Sequence, residues 1–390
     1  MARRPPVLSR TPHVALLIET SKFYGRESLL GISTYARLHG GWSIYAVERG
    51  QNDPDPGWLA NWKGDGIITR SFDLKLCRRA QKRGIPVVSL RHLVPKPEFP
   101  SFFPDQVAIA NRVARHFIER GVRRFAYMTI PGDRGWEEIR RAAFVQVLQK
   151  EGMPAPAIRL LSTEAGMNWE HQEGELVTWL RQLPKPVGIM TSHDAQGLLV
   201  LDACRRAGIR VPDDVAVVSV DNDPVLCEIS APPLSSLDQN VQKIGFEAAA
   251  ALDRMMRGEA CAAKNYFIEP GDVVTRQSSD VLMVDDPGLA KAIRFVREAG
   301  GKGIGVNDMA RVAGMSRRAL EMKFVKVIGR TPLEEIQEIR YRRTRHLLLE
   351  TNYTLPQIAE LVGIQYHEYL VRFFKKRSGM TPGEFRRRMG

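Results

Sequence analysis

Cysteine is scarce in this 390-residue chain: Cys77, Cys204, Cys227 and Cys261, with no Cys-x-x-Cys pair. Four such residues supply neither a disulfide framework nor a thiolate metal site, and they fit a reducing compartment. Histidine is thin as well, eight residues scattered without a His-Glu-x-x-His motif, so no structural or catalytic metal is expected. No apolar run has the length and flanks of a signal peptide or a membrane span; the start, MARRPPVLSR, leads directly into a strand-like HVALLI. A cytoplasmic protein without membrane partners is expected. Catalytic signatures are wanting too. Ser192-His193-Asp194 has the letters of a catalytic triad, but neighbours in sequence cannot take up its geometry. Gly301, Gly303 and Gly305 in GGKGIGV follow no strand and read as a flexible joint, not a phosphate cradle. The chain reads as non-enzymatic, with no cofactor.

What is present is enough apolar material, 44%, for more than one core, and a length suited to two or three domains at roughly 100–200 residues each. Charge is unevenly placed. Of the net +13, residues 287–390 carry 21 Lys and Arg against 10 Asp and Glu, leaving 36 against 34 before them. A basic module joined to a near-neutral one suits a polyanion at the tail and another task upstream. A solvated basic helical tail would have the same charge.

The basic quarter contains a repeat. Val306, Met309, Ala310 and Ala313, then Gly314, recur 49 positions later as Leu355, Ile358, Ala359 and Val362, then Gly363. Each is a short amphipathic helix ended by the residue that takes a left-handed cap at least cost. A second helical pattern follows at the same offset, Leu320 and Phe324 in one unit and Tyr369 and Phe373 in the other. Gly329, Thr331 and Pro332 return as Gly379, Thr381 and Pro382, shifted by one. Helix, glycine turn, helix is the helix-turn-helix arrangement, expected at about 304–327 and 354–377. The intervening PLEEIQEIRYRRTRHLLLE reads as a long linking helix that would hold both units against successive major grooves.

Ile358-Ala359, Gly363, Phe374-Lys375-Lys376, Gly379, Thr381-Pro382 and Phe385-Arg386, with Ala313-Gly314, Ser316, Leu320 and Phe324, resemble the AraC/XylS-type DNA-binding domain. Ile364 replaces the usual Phe after the second turn glycine, and Thr344 the usual small residue of the linking helix. The resemblance implies recognition residues Arg317, Arg318, Glu321 and Met322 in unit one, and Tyr366, His367, Glu368 and Arg372 in unit two. Arg can bridge guanine O6 and N7, and Glu can accept from cytosine N4. Phosphate contact or plain exposure is the alternative for each. Ser316 suits a helix N-cap, and Lys323, Lys375, Lys376 and Arg377 suit phosphate clamps.

Upstream, short aliphatic runs (HVALLI, WSIYAV, GIIT, PVVSL, RRFAYMTI, GIMTS, VAVVSVD) alternate with helical stretches. Alternating βα units imply parallel sheets covered by helices, with ligands outside the carboxyl ends of the strands. The residues there include Thr20, Ser21, Lys22 and Tyr24, then Arg91, Ser192-His193-Asp194 and Asp221-Asn222-Asp223.

Gly208-Ile209-Arg210-Val211-Pro212-Asp213-Asp214-Val215, Val220-Asp221-Asn222 and Pro232-Pro233-Leu234-Ser235-Ser236-Leu237-Asp238-Gln239 resemble the effector domain of LacI-type repressors. Arg140 stands four before Phe144, as in that family's Arg-x-x-Gly-Phe signature, with Ala143 for the glycine. The resemblance implies a two-lobed type I periplasmic-binding-protein-like α/β domain over 12–282, after a tail at 1–11 and before an all-α domain with two helix-turn-helix units at 283–390. LacI-type repressors carry an N-terminal DNA-binding headpiece; here the first strand begins near His13, so DNA reading is expected at the other end.

A sugar would be held by Ser21, Arg140, Asp194 and Asp221 through its hydroxyls, and by Tyr24 and Trp136 through its apolar face, with Arg91 and Asn222 further candidates. Asp194 and Asp221 also suit helix caps, Tyr24 and Trp136 also suit the core, and Asp105 is expected to cap a helix. Together the two resemblances imply a sugar-responsive transcription regulator, a D-xylose-dependent activator of pentose-utilisation genes. Its partners would be a double-stranded DNA operator, D-xylose, RNA polymerase and a second copy in a homodimer. Two rivals share parts of this pattern: a solute-binding protein feeding a sugar transporter, and a sugar-converting enzyme with an interaction tail.

Overall fold

The computed structural model describes residues 11–50, 53–71, 74–91, 97–129, 135–160, 169–280, 286–299, 303–351 and 353–389. The expected tail at 1–11, apart from Thr11, and Gly301 of the glycine run lie outside them. The chain divides into two compact units, Met1–Val281 and Leu282–Gly390.

Among the described residues of the first unit twelve strands occur: β1 (His13–Leu17), β2 (Ser43–Ala46), β3 (Gly66–Thr69), β4 (Val87–Ser89), β5 (Ser101–Pro104), β6 (Phe125–Thr129), β7 (Ala157–Leu160), β8 (Val187–Thr191), β9 (Val215–Val220), β10 (Ser235–Leu237), β11 (Asn265–Ile268) and β12 (Val273–Val274). Between them lie α1 (Phe23–Leu38), α2 (Lys75–Lys82), α3 (Gln106–Glu119), α4 (Gly135–Lys150), α5 (Trp169–Gln182), α6 (Asp194–Arg206), α7 (Pro224–Ile229) and α8 (Val241–Met256). They build two six-stranded sheets, in the orders β11-β5-β4-β3-β1-β2 and β12-β10-β9-β8-β6-β7. The pairings are parallel, except that β12 runs antiparallel to β10.

Parallel sheets need helical crossovers, so both faces are covered and the central strands are buried along most of their length. On β1, Val14 and Leu16 pack with Ile244, Ala248 and Leu252 of α8, while Ala15 and Leu17 face Cys77 and Ala80 of α2. In the second lobe Ala126, Met128, Ile189 and Val217 pack with residues of α5 and α6, among them Leu180 and Val200. The chain passes between the lobes three times, at β5 to α3, β10 to α8 and β11 to β12. Asp105 opens α3 at the first crossing as its N-cap, its carboxylate accepting from the Val107 and Ala108 amides at 2.9 and 3.0 Å. The short strands β5, β7, β10, β11 and β12 have no counterpart among the runs read from sequence.

α1 and α8 touch backbone to backbone. A Cβ at Gly31 would lie 1.9 Å from the Gln242 carbonyl oxygen, and one at Gly245 would lie 2.1 Å from that of Ser28.

The second unit is helical: α9 (Pro287–Glu298), α10 (Val306–Ala313), α11 (Arg317–Ile328), α12 (Pro332–Glu350), α13 (Leu355–Leu361), α14 (His367–Ser378) and α15 (Pro382–Met389). The expected linking helix is α12, opened by a capping box between Thr331 and Glu334. Its first half closes one core (Leu289, Val296, Met309, Leu320, Phe324, Ile336) and its last turns another (Leu348, Ile358, Val362, Leu370, Phe374, Phe385).

One alignment of the repeat is corrected here. The residues that match Leu320 and Phe324 are Leu370 and Phe374, both fully buried, and not Tyr369 and Phe373. The second turn is one residue longer, with Ile364 and Gln365 between Gly363 and the cap Tyr366 where Met315 alone separates Gly314 from the cap Ser316. From the caps onward the units therefore correspond 50 apart. Among the described residues no helix is long and apolar enough to cross a membrane.

Because the α1–α8 contact has no room for a methyl group, Gly245→Ala should destabilise the first unit by about 1–3 kcal/mol, the usual cost of overpacking. A denaturation curve that resolves this unit's transition checks it; an unchanged midpoint contradicts the contact.

Candidate functional site

The two lobes enclose a cavity of about 210 Å³ at the carboxyl ends of their strands. Lobe one contributes Glu19, Lys22, Phe23 and Tyr24 beyond β1, Arg70 beyond β3, and Phe103 of β5. Lobe two contributes Gln106, Trp136, Arg140, Ser192, His193, Asp221, Asp223 and Gln239.

Arg140 is 1% exposed, yet its charge is well served. Nε donates to Gln106 Oε1 at 2.9 Å and Nη1 to the Ser192 carbonyl at 2.6 Å, and the guanidinium lies 4.8 Å from the centre of the Trp136 ring. Arg70 ion-pairs with Glu19 and sits 4.4 Å over Tyr24. Burial lowers the Arg70 pKa to about 10, which leaves it charged at neutral pH. Each aromatic thus has a guanidinium on one face, and an apolar sugar face has only the other face to stack on.

Asp221 follows β9 in a strained conformation, with φ +122° at Asp221 and +56° at Asn222. A loop that rarely accepts L-residues is held here from outside. Asp194 does much of the holding. It is fully buried at the start of α6, where its carboxylate accepts from the Ser236 hydroxyl at 2.5 Å and from the Asp223 amide at 2.7 Å. Ser236 Oγ in turn accepts from the Asn222 amide at 2.9 Å, and Asn222 Oδ1 accepts from Arg276 Nη1 at 3.0 Å. Gln239 donates to Asp221 itself. Burial raises the pKa of Asp221, helped by the Asp194 charge, while Arg140, Gln239 and Arg70 oppose the rise. Asp194 is also raised by burial, against the hydrogen bonds it accepts.

Of the eight residues expected to contact a ligand, Tyr24, Trp136, Arg140 and Asp221 line the cavity. Asp194 stands behind the wall as a support for the Asp221 loop. It does not cap α6 either, since that N-cap is His193; the cap of α7 is Asp223. Ser21 is exposed on the loop before α1 and is not part of the cavity lining. Arg91 donates to the Ser71 carbonyl at 3.3 Å, outside the lining. Asn222 faces a separate depression with Glu27 and Asp238. Glu19, Arg70, Gln106 and Gln239 were missed: Arg70 and Glu19 do follow strands, but Gln106 and Gln239 lie where the chain crosses between lobes, which no local pattern marks.

In the helical unit Arg317, Arg318, Met322 and Lys323 are exposed along α11, with Glu321 half-buried. Ser316 caps this helix, accepting from the Ala319 amide at 3.2 Å. Arg317 pairs with Glu321 at 2.9 Å, and Lys323 pairs with Asp286 at 2.5 Å, where it also faces the start of α9. On α14, His367, Glu368, Arg372, Lys375 and Lys376 are exposed; Tyr366 is its exposed N-cap residue rather than a helix residue. Arg377 is drawn back to Glu338 of α12 at 2.5 Å.

Comparison with known proteins defines the class. Residues 114–279 match the periplasmic binding protein-like domain and residues 309–388 a helix-turn-helix domain. The chain thus joins a periplasmic-binding-protein-like domain to an AraC-type helix-turn-helix region, the make-up of a transcription regulator and not of an enzyme. It is homologous along its length to xylose operon regulatory proteins. Identity is 28% over 387 residues to that of Escherichia coli K12, covering 97% of this chain and 98% of the relative. It is 29% over 380 residues to that of Haemophilus influenzae, covering 96% and 97%. The solved structure of a xylose-binding transcription activator superposes with a TM-score of 0.73 at 27% identity, over 98% of this chain and 99% of that one.

A carboxylate whose pKa is raised on folding keeps a proton that the unfolded chain releases near pH 4, so its contribution falls as pH rises past that value. Asp221→Asn should therefore raise the first unit's unfolding temperature at pH 7–8 by about 2–4 °C, with little gain at pH 4. Thermal scans across pH check this; a variant destabilised at pH 8 would contradict the sign.

Proposed function

We propose that this protein is a sugar-responsive regulator that binds a pentose, D-xylose, in the cavity between the lobes and activates pentose-utilisation genes. The observation that carries the reading is the cavity itself. At about 210 Å³ it is smaller than the roughly 300–1,000 Å³ of drug-binding clefts, and it mixes fixed hydrogen-bonding groups with aromatic faces. Arg140, held in place by Gln106 and Ser192, offers the rest of its fork to adjacent hydroxyls; Asp221, braced by its loop, offers acceptors. Length-wide homology to xylose operon regulators supports the same ligand class.

Ligand acts by preferring the closed lobes, and the shift it produces is set by its differential affinity for the two arrangements. The basic helical unit then binds operator DNA, in a homodimer on paired half-sites. Activation implies RNA polymerase as a further partner, in the cytoplasm.

A ligand that binds only the folded state raises the unfolding temperature by mass action. D-Xylose should do so more than D-glucose or D-ribose, and Arg140→Ala should abolish the shift. A larger response to a hexose would overturn the pentose assignment, and no response to any monosaccharide would overturn the sugar. Reporter transcription that falls on adding D-xylose would reverse activation to repression.

A further inference from the structure

The two recognition helices correspond 50 residues apart, and the second residue of each is Arg318 in α11 and Glu368 in α14. Both are exposed. Equivalent positions of the repeat therefore carry opposite charges.

The neighbouring charges sharpen this contrast. On α11 Arg317 is engaged by Glu321 and Lys323 by Asp286, whereas Arg318 has no ion-pair or hydrogen-bond partner among the described residues. It is the cation left at the end of the helix that enters a major groove first. On α14 the first turn holds Glu368, its contact with His367 a long 3.5 Å, and the cations Lys375, Lys376 and Arg377 cluster in the last turn. A carboxylate at the groove-facing end is repelled by phosphates, and the favourable partner for it on duplex DNA is the exocyclic amine of cytosine. Terminal cations on the same helix suit the backbone.

We infer that the half-site is asymmetric, with Arg318 reading a guanine under the first unit and Glu368 a cytosine under the second. The inference rests on the DNA-binding reading above. α12, 19 residues and so about 28 Å long, holds the two contacts roughly one helical turn of DNA apart. Opposite charges at equivalent positions fix the polarity of the domain on its site, because reversing it would set Glu368 against guanine O6 and N7, both acceptors.

Selection of randomised duplexes by the full-length protein, followed by sequencing, tests this with Arg318→Ala and Glu368→Gln alongside. The unaltered protein should enrich a motif containing a guanine and, about 10 base pairs away, a cytosine. Arg318→Ala should lose preference at the guanine alone, by roughly ten- to a hundredfold. Glu368→Gln should change the cytosine preference to adenine, since Gln pairs with adenine N6 and N7, a gain that a merely structural role cannot produce. Variants that weaken binding evenly with an unchanged motif would overturn the base assignments while leaving DNA binding intact. Failure of the unaltered protein to enrich any duplex would overturn both.

Discussion

The first unit is organised around charges that have been taken out of water. A buried ion is costly unless it is paired and its remaining hydrogen-bonding positions are filled. Arg140 meets this demand with Gln106, Ser192 and the Trp136 face, Arg70 with Glu19 and the Tyr24 face, and Asp194 with Ser236 and the Asp223 amide. Each solution recruits a partner from a different element, so the elements cannot shift independently. Asp194 shows the consequence most clearly. It touches no ligand position, yet through Ser236 and Asn222 it holds the loop that points Asp221 into the cavity.

In the second unit the shared constraint is length. Helices of 7 or 8 residues such as α13 and α10 are far too short to persist alone. Both borrow apolar surface from α12, which offers Ile336 at one end and Leu348 at the other. A single helix serving two cores couples their orientation, whereas two separate cores would have let the units turn against each other. Thr344, midway along α12, is fully buried and returns its hydroxyl to the Arg340 carbonyl at 2.7 Å, so the middle of the helix is narrow as well as satisfied.

Legibility followed locality. Apolar strands such as β1, β6, β8 and β9 announce themselves because each is buried on both faces, and α12 is recovered from Pro332 to Glu350 because Ile336, Ile339, Leu347 and Leu348 recur among its charges. Strands of two to four residues carry no period; β2, β3 and β4 were legible only because each lies in an apolar run, which β5, β7, β10, β11 and β12 do not offer. In the repeat, the constant 49-residue offset was persuasive through Gly363, and an inserted turn residue then broke it; one residue in a helix is about 100° of rotation, enough to move Tyr369 from core to surface, where it is 47% exposed. Aromatic residues at both 373 and 374 hid the slip. In the cavity, residues just after strands were open to inspection, and Tyr24 and Asp221 were found that way. Gln106 and Gln239 needed the three crossings between lobes, and Asp194 needed to be seen from behind.

The balance of charge in the cavity bears on what can enter it. Lys22, Arg70 and Arg140 share it with Glu19, Asp221 and Asp223, three basic and three acidic side chains. An anionic ligand would compete with the carboxylates for the guanidiniums, and a cationic one with the guanidiniums for the carboxylates; either brings in a buried charge without a counter-charge of its own, which is costly. A neutral polyol disturbs neither pairing. Its hydroxyls both donate and accept, so they could bond to Asp221 and Arg140 without altering the net charge, while its C–H face could take the aromatic side that the guanidiniums leave open. The proposed preference for uncharged, densely hydroxylated molecules would then follow from how the protein solved its own buried-charge problem, the pairing that stabilises the lobes also setting what the cavity can accept.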